Sequence, residues 1–135
     1  MAKDLTNSRL DRQNILNNEI AVEEIQLKSG VEGITWNGKI YVTREMTANF
    51  FEVDMRTISR YLEQNNEELT ENGYEVLRGK RLKSFIEASK NSGKDINVPT
   101  KTTVLGVFNF RAFLNMAKLL RIAVAVLMNY WILEN

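Results

Sequence analysis

Arg56, Thr57, Ser59 and Arg60 place four side-chain hydrogen-bond donors inside one short segment, MRTISRYL. Guanidinium and hydroxyl groups gathered in this way suit hydrogen bonding to guanine edges or phosphates rather than bond-making chemistry. The chain has no histidine and no cysteine. Those absences remove Ser-His and Cys-His nucleophiles, imidazole proton shuttling, the usual zinc ligands and any disulfide. Carboxylate or lysine chemistry is left. The carboxylate pairs Glu23 with Glu24 and Glu67 with Glu68 are neighbours in sequence, however, and neighbours on a helix point in different directions. The expectation is a protein that is not an enzyme, with no catalytic residue, cofactor or metal. Gly33, Gly38 and Lys39 match most of a phosphate-loop pattern, but Ile40 stands where a hydroxyl should reach magnesium, so nucleotide binding is rejected.

The elements that would carry those donors can be read from the surrounding residues. Thr43 is suited to cap a short helix whose apolar side is Met46, Ala48, Phe50 and Phe51. Asp54 can cap a second helix from Met55, with Ile58, Tyr61 and Leu62 facing inward. Between them, EVD breaks the helix and changes its direction. Ala48 at the crossing and Val53 plugging the turn complete a helix-turn-helix pattern, with a recognition helix over about 55–65.

Upstream, Asn14 to Lys28 spaces Ile15, Ile20, Ala21 and Ile25 as a helix. Asn37-Gly38 inside GITWNGKIYV is a strong hairpin signal and predicts a two-stranded ribbon. Downstream, EQNNEELTENG predicts a surface turn or short helix. YEVLRGKRLKSFIEAS predicts a strand that buries Tyr74, Val76 and Leu77 and then runs into a basic ribbon. After a loop over Ala88 to Lys101, TTVLGVFNF predicts a returning strand. Asn109 would cap a last helix from Phe110 to about Tyr130, apolar nearly all round and hence buried in core or in a dimer. Its apolar run is shorter than the roughly 20 residues of a membrane span.

Together these elements describe an α+β chain: a winged helix-turn-helix-like domain with short antiparallel strands and flanking N- and C-terminal helices. The expected division is an N-terminal arm and helix over 1–32 and the winged domain with its C-terminal helix over 33–135. Length allows this: 135 residues with 44% hydrophobic content suit one modest core. Net charge is only +1, but five acids and no base lie between Tyr61 and Leu77, while seven bases against two acids lie between Arg78 and Lys101. A wing drawn from the basic block would lie along the phosphate backbone through Lys80, Arg81, Lys90, Lys94 and Lys101, with Thr43 and Arg44 contributing from the first helix. The polar start, MAKDLTNSRLDRQN, lacks the apolar core of a signal peptide and predicts a cytoplasmic protein.

With these pieces assembled, YVTREMTANFFEVDMRTISRYLEQN, GYEVLRGKRL and TTVLGVFNFRAFLNMAKLLR resemble the N-terminal module of RhuM-like bacterial and prophage DNA-binding proteins, and more distantly KilA-N and BRO-type phage regulators. The resembling pieces cover most of Trp36 to Arg121. The resemblance implies a DNA-binding module of mobile-element origin, in some cases joined to or encoded beside a Fic/Doc-type toxin domain. This sequence carries no Fic signature, whose motif requires a histidine. The positions that carry over are Thr43, Ala48, Val53, Asp54, Thr57, Ile58, Ser59 and Arg60, with Thr57, Ser59 and Arg60 facing the groove. Two departures stand out. Glu52 occupies the glycine position of the turn, which predicts a turn that is either looser or not left-handed there. Beyond Arg121, RIAVAVLMNYWILEN replaces a charged continuation and suggests a truncated or divergent end.

The expected function is sequence-specific binding of double-stranded DNA by a homodimeric prophage or mobile-element transcriptional regulator. Arg56, Thr57, Ser59 and Arg60 would contact bases. The alternative is a non-catalytic adaptor, associated with a Fic/Doc-type toxin, that binds its partner through the apolar last helix and the acidic 61–77 segment.

Overall fold

Asn37 and Gly38 take positive φ, 52° and 77°, as a type I′ turn requires at both central positions. They fold β1 (Ile34–Trp36) back onto β2 (Lys39–Thr43), pairing Trp36 with Lys39 and Ile34 with Tyr41. The hairpin is one half of a larger sheet. In the computed structural model, which describes residues 16–18, 20, 22, 26, 31–94, 96, 98 and 101–120, β2 also pairs with β4 (Val104–Asn109), and β4 with β3 (Tyr74–Arg78). The result is a four-stranded antiparallel sheet in the order β1-β2-β4-β3.

Five helices with defined bounds accompany it among the described residues: α1 (Arg44–Phe51), α2 (Met55–Gln64), α3 (Asn66–Glu71), α4 (Gly79–Asn91) and α5 (Phe110–Leu120). The architecture is therefore α+β. Because strand side chains alternate between faces, β2, β3 and β4 each feed two cores, while β1 turns Ile34 and Trp36 to one of them. On one face Val42, Tyr74 and Phe108 pack with Ala48 and Phe51 of α1, Ile58 and Leu62 of α2, and Phe110, Phe113 and Leu114 of α5. Phe51 and Phe113 stack with ring centroids 4.9 Å apart. On the opposite face Ile34, Trp36, Leu77 and Val107 pack with Leu82 and Phe85 of α4.

The basic ribbon predicted after β3 is not a ribbon. Residues Gly79–Asn91 form α4, 13 residues long, because Leu82, Phe85, Ile86 and Ser89 recur at helical spacing and bury one stripe against the sheet. A helix rather than a wing thus joins β3 to β4, and the first residues assigned to the loop, Ala88 to Asn91, are its last turn. Val76 was expected inside; it is 45% exposed, since the helices of the first core cover the sheet only as far as Tyr74 on that strand. Of the predicted 14–28 helix, Leu16 is buried in the first core and Ile20 is exposed. Residues 121–135, including the predicted extension to Tyr130, lie outside the described residues.

The acidic stretch before β3 does form a short helix, α3, but not a wholly superficial one. Glu68 is buried, as are Asn72 and Asn115. Asn115 Nδ2 donates to Glu68 Oε2 at 2.6 Å, Asn72 Nδ2 donates to Asn115 Oδ1 at 2.8 Å, and Arg111 Nε donates to Asn72 Oδ1 at 3.0 Å. This network bolts α3 to α5, and a buried polar group deprived of its partner is costly. Replacing Asn115 by Ala is expected to lower unfolding free energy by about 2–3 kcal/mol. Urea denaturation checks this, and an unchanged midpoint would show that the network contributes nothing.

Candidate nucleic-acid interface

Two capping side chains set the α1–α2 pair. Thr43 Oγ1 accepts from the Met46 amide at 3.1 Å, and Asp54 Oδ1 accepts from the Arg56 amide at 2.7 Å. Each supplies an acceptor to an amide that lacks an intrahelical partner. Between them α1 ends at Glu52, whose φ and ψ of 56° and 43° are left-handed, and its N–H returns to the carbonyls of Ala48 and Asn49. The next amide, Val53, also donates to the Ala48 carbonyl, at 3.0 Å. Ala48 is buried at this junction and Val53 packs against the first core. The expectation that Glu52 would prevent a left-handed turn is therefore corrected: the two bonds back to α1 hold it there despite its Cβ.

α2 packs chiefly on α1, α3 and α5. Ile58 and Leu62 are its buried residues, which leaves Arg56 and Arg60 exposed and Thr57 and Ser59 half-buried. Arg56 is almost wholly solvated, with its Nε 3.7 Å from Asp54 Oδ1. The Arg60 guanidinium lies 5.6 Å from the centre of the Tyr61 ring. Ser59 is engaged differently: the Arg44 guanidinium, from the first turn of α1, donates to its hydroxyl. Arg44 also meets the Tyr74 hydroxyl. Burial raises the Tyr74 pKa above the ordinary 10.0, and the neighbouring Arg44 charge and hydrogen bond oppose that rise. Both side chains cross Gly106, where a Cβ would stand 2.1 Å from the Tyr74 hydroxyl oxygen and 3.1 Å from Arg44 Cδ.

The remaining predicted phosphate contacts do not gather beside α2. Thr43 is buried and its hydroxyl is used as the cap. Lys80, Arg81 and Lys90 stand on α4, on the other face of the sheet. Arg81 donates to Glu75 Oε2 at 2.6 Å and lies 4.9 Å from the Trp36 ring centre. Lys94 pairs with Glu32 at 3.0 Å. Lys101 is exposed, ahead of β4. No protein-family model, curated protein or solved structure matches this chain.

Two further properties bound the chemistry. Among the described residues no group of His, Cys, Asp or Glu could hold a metal ion, and no helix is long and apolar enough to cross a membrane. The apolar last helix, the adaptor's expected contact surface, is buried at every described position except Arg111, down to Lys118 at 0% exposure.

The left-handed Glu52 gives this region a measurable signature. A residue with a Cβ is disfavoured in that conformation and glycine is not. Glu52→Gly is expected to raise stability by about 0.5–1 kcal/mol, net of the extra freedom glycine brings to the unfolded chain. Chemical denaturation reads the difference, and a loss of stability would mean that the Glu52 side chain supports the turn.

Proposed function

We propose that this protein binds double-stranded DNA sequence-specifically, with α2 entering the major groove as the recognition helix of a helix-turn-helix. The observation that carries the reading is the α1–α2 junction. A left-handed residue closes α1, Asp54 restarts the chain as α2, and the outward side of α2 is left with two extended arginines and two hydroxyl side chains. Arginine can bond guanine O6 and N7 in a bidentate manner, and threonine or serine can bond several base edges. Arg60 is the principal base reader, since its guanidinium is free of a carboxylate partner among the described residues. Arg56 reads bases or phosphate from the start of the helix, and Thr57 contributes its hydroxyl. Ser59 orients Arg44 instead of reading bases directly.

Transcriptional regulation by a homodimer follows naturally from such a module, with half-sites roughly 34 Å apart for two-fold related helices. The resemblance to RhuM-like proteins supports the same reading at the level of motif. The buried state of α5 weighs against the adaptor alternative, because its described part offers no uncovered apolar face.

Fluorescence-anisotropy binding to a random duplex pool, followed by sequencing of the retained fraction, tests this. An enriched motif is expected. On that motif Arg60→Ala is expected to weaken binding by about 1–3 kcal/mol and to relax preference at one position. Wild-type affinity of the variant for the enriched motif, with its discrimination against a scrambled duplex unchanged, would remove Arg60 from base reading.

A further inference from the structure

A recognition helix needs phosphate contacts around it, and these usually make up half or more of the hydrogen bonds to DNA. The end of α2 cannot supply them alone. Arg56 is offset by Asp54, and the exposed Glu52 and Glu63 lie at either end of the segment. The basic residues of α4 do not help, since α4 covers the opposite face of the sheet. A cation on the same face as α2 is required, and β3 provides one.

Tyr74, Val76 and Arg78 alternate onto one face of β3, and Tyr74 places that face in the first core, beside α1, α2 and α5. Past Tyr74 the face is bare: Val76 is 45% and Val104 43% exposed. Arg78 pairs in register with Val104 at the end of the β3–β4 ribbon and is exposed, with no ion pair among the described residues. A continuous line of contact connects this bare strip to α2. Val76 pairs with Gly106, the Tyr74 hydroxyl and Arg44 lie over Gly106, and Arg44 holds Ser59 on the arginine-bearing side of α2.

We propose that the open face of the β3–β4 ribbon is a second DNA contact, in which Arg78 binds a backbone phosphate beside the groove occupied by α2 and Val76 and Val104 lie against the deoxyribose. The inference rests on the α2 reading and extends it. The ribbon, not the basic helix that follows it, serves as the wing. Arg78 acts on every sequence alike, because a phosphate carries no base identity.

The experiment uses the full chain and a labelled duplex carrying the motif enriched from the random pool, titrated at several salt concentrations. Arg78→Ala is expected to weaken binding to the enriched and scrambled duplexes by the same factor and to reduce the salt slope by about 1, with Arg78→Lys restoring the slope. Lys80→Ala and Lys90→Ala are expected to leave the slope unchanged. Thermal melting confirms that each variant is folded. Wild-type binding with an unaltered slope in Arg78→Ala would overturn the ribbon contact while leaving α2 in place. Loss of slope in the α4 variants would overturn it too, by moving the phosphate contact to the other face. Failure of the wild-type protein to bind any duplex at low salt would remove the α2 reading itself, and this inference with it.

Discussion

Strand β4 is the constraint on which the rest of the molecule depends. It joins two partners brought from distant parts of the chain, pairing with β3 over residues 104–108 and with β2 over 107–109, so that Val107 and Phe108 are held on both edges. Its adjacent residues Val107 and Phe108 are both fully buried but in different cores, Val107 under α4 and Phe108 under α1, α2 and α5. A register slip of one residue would exchange them and spoil both cores at once. Each fully buried side chain of this kind contributes about 1.5–3 kcal/mol. The strand also launches α5, because Asn109 Oδ1 accepts from the Ala112 amide at 2.8 Å. The floor for α2 and the position of Gly106 under Arg44 and Tyr74 are consequences of that one register.

This arrangement divides the surface by sheet face. One side carries α2 and the bare end of β3–β4. The other carries α4 with Lys80, Lys83 and Lys90 pointing outward. The near-neutral net charge of +1 conceals this separation, and a duplex lying against α2 would not meet the α4 lysines.

Local chemistry was the part of the fold legible in the sequence. Asn37-Gly38, Thr43, Asp54 and Asn109 each satisfy a requirement of the few residues around them, so their turn and caps appear where expected. α4 is hard to read because its seven exposed polar residues obscure the Leu82, Phe85, Ile86 and Ser89 stripe, although that spacing can be counted. Glu52 could not be read, since only the bonds back to α1 hold it left-handed. The burial of Glu68 depends on Asn115, far away in the chain. At the candidate interface, Arg56 and Arg60 were legible as the outward side of an amphipathic helix. The tether from Arg44 to Ser59 was not, because it is a tertiary contact. Arg78 was passed over when the basic residues were read as one loop; counting by twos from Tyr74 places it on the α2 face.

The most direct test of the central claim is amide chemical-shift mapping of isotopically labelled protein titrated with a duplex of the enriched sequence. The account predicts the largest perturbations in α2 from Arg56 to Arg60, a second set at Val76 to Arg78, and quiet amides along the exposed side of α4. Perturbations centred on α4, or none anywhere at saturating duplex, would contradict it.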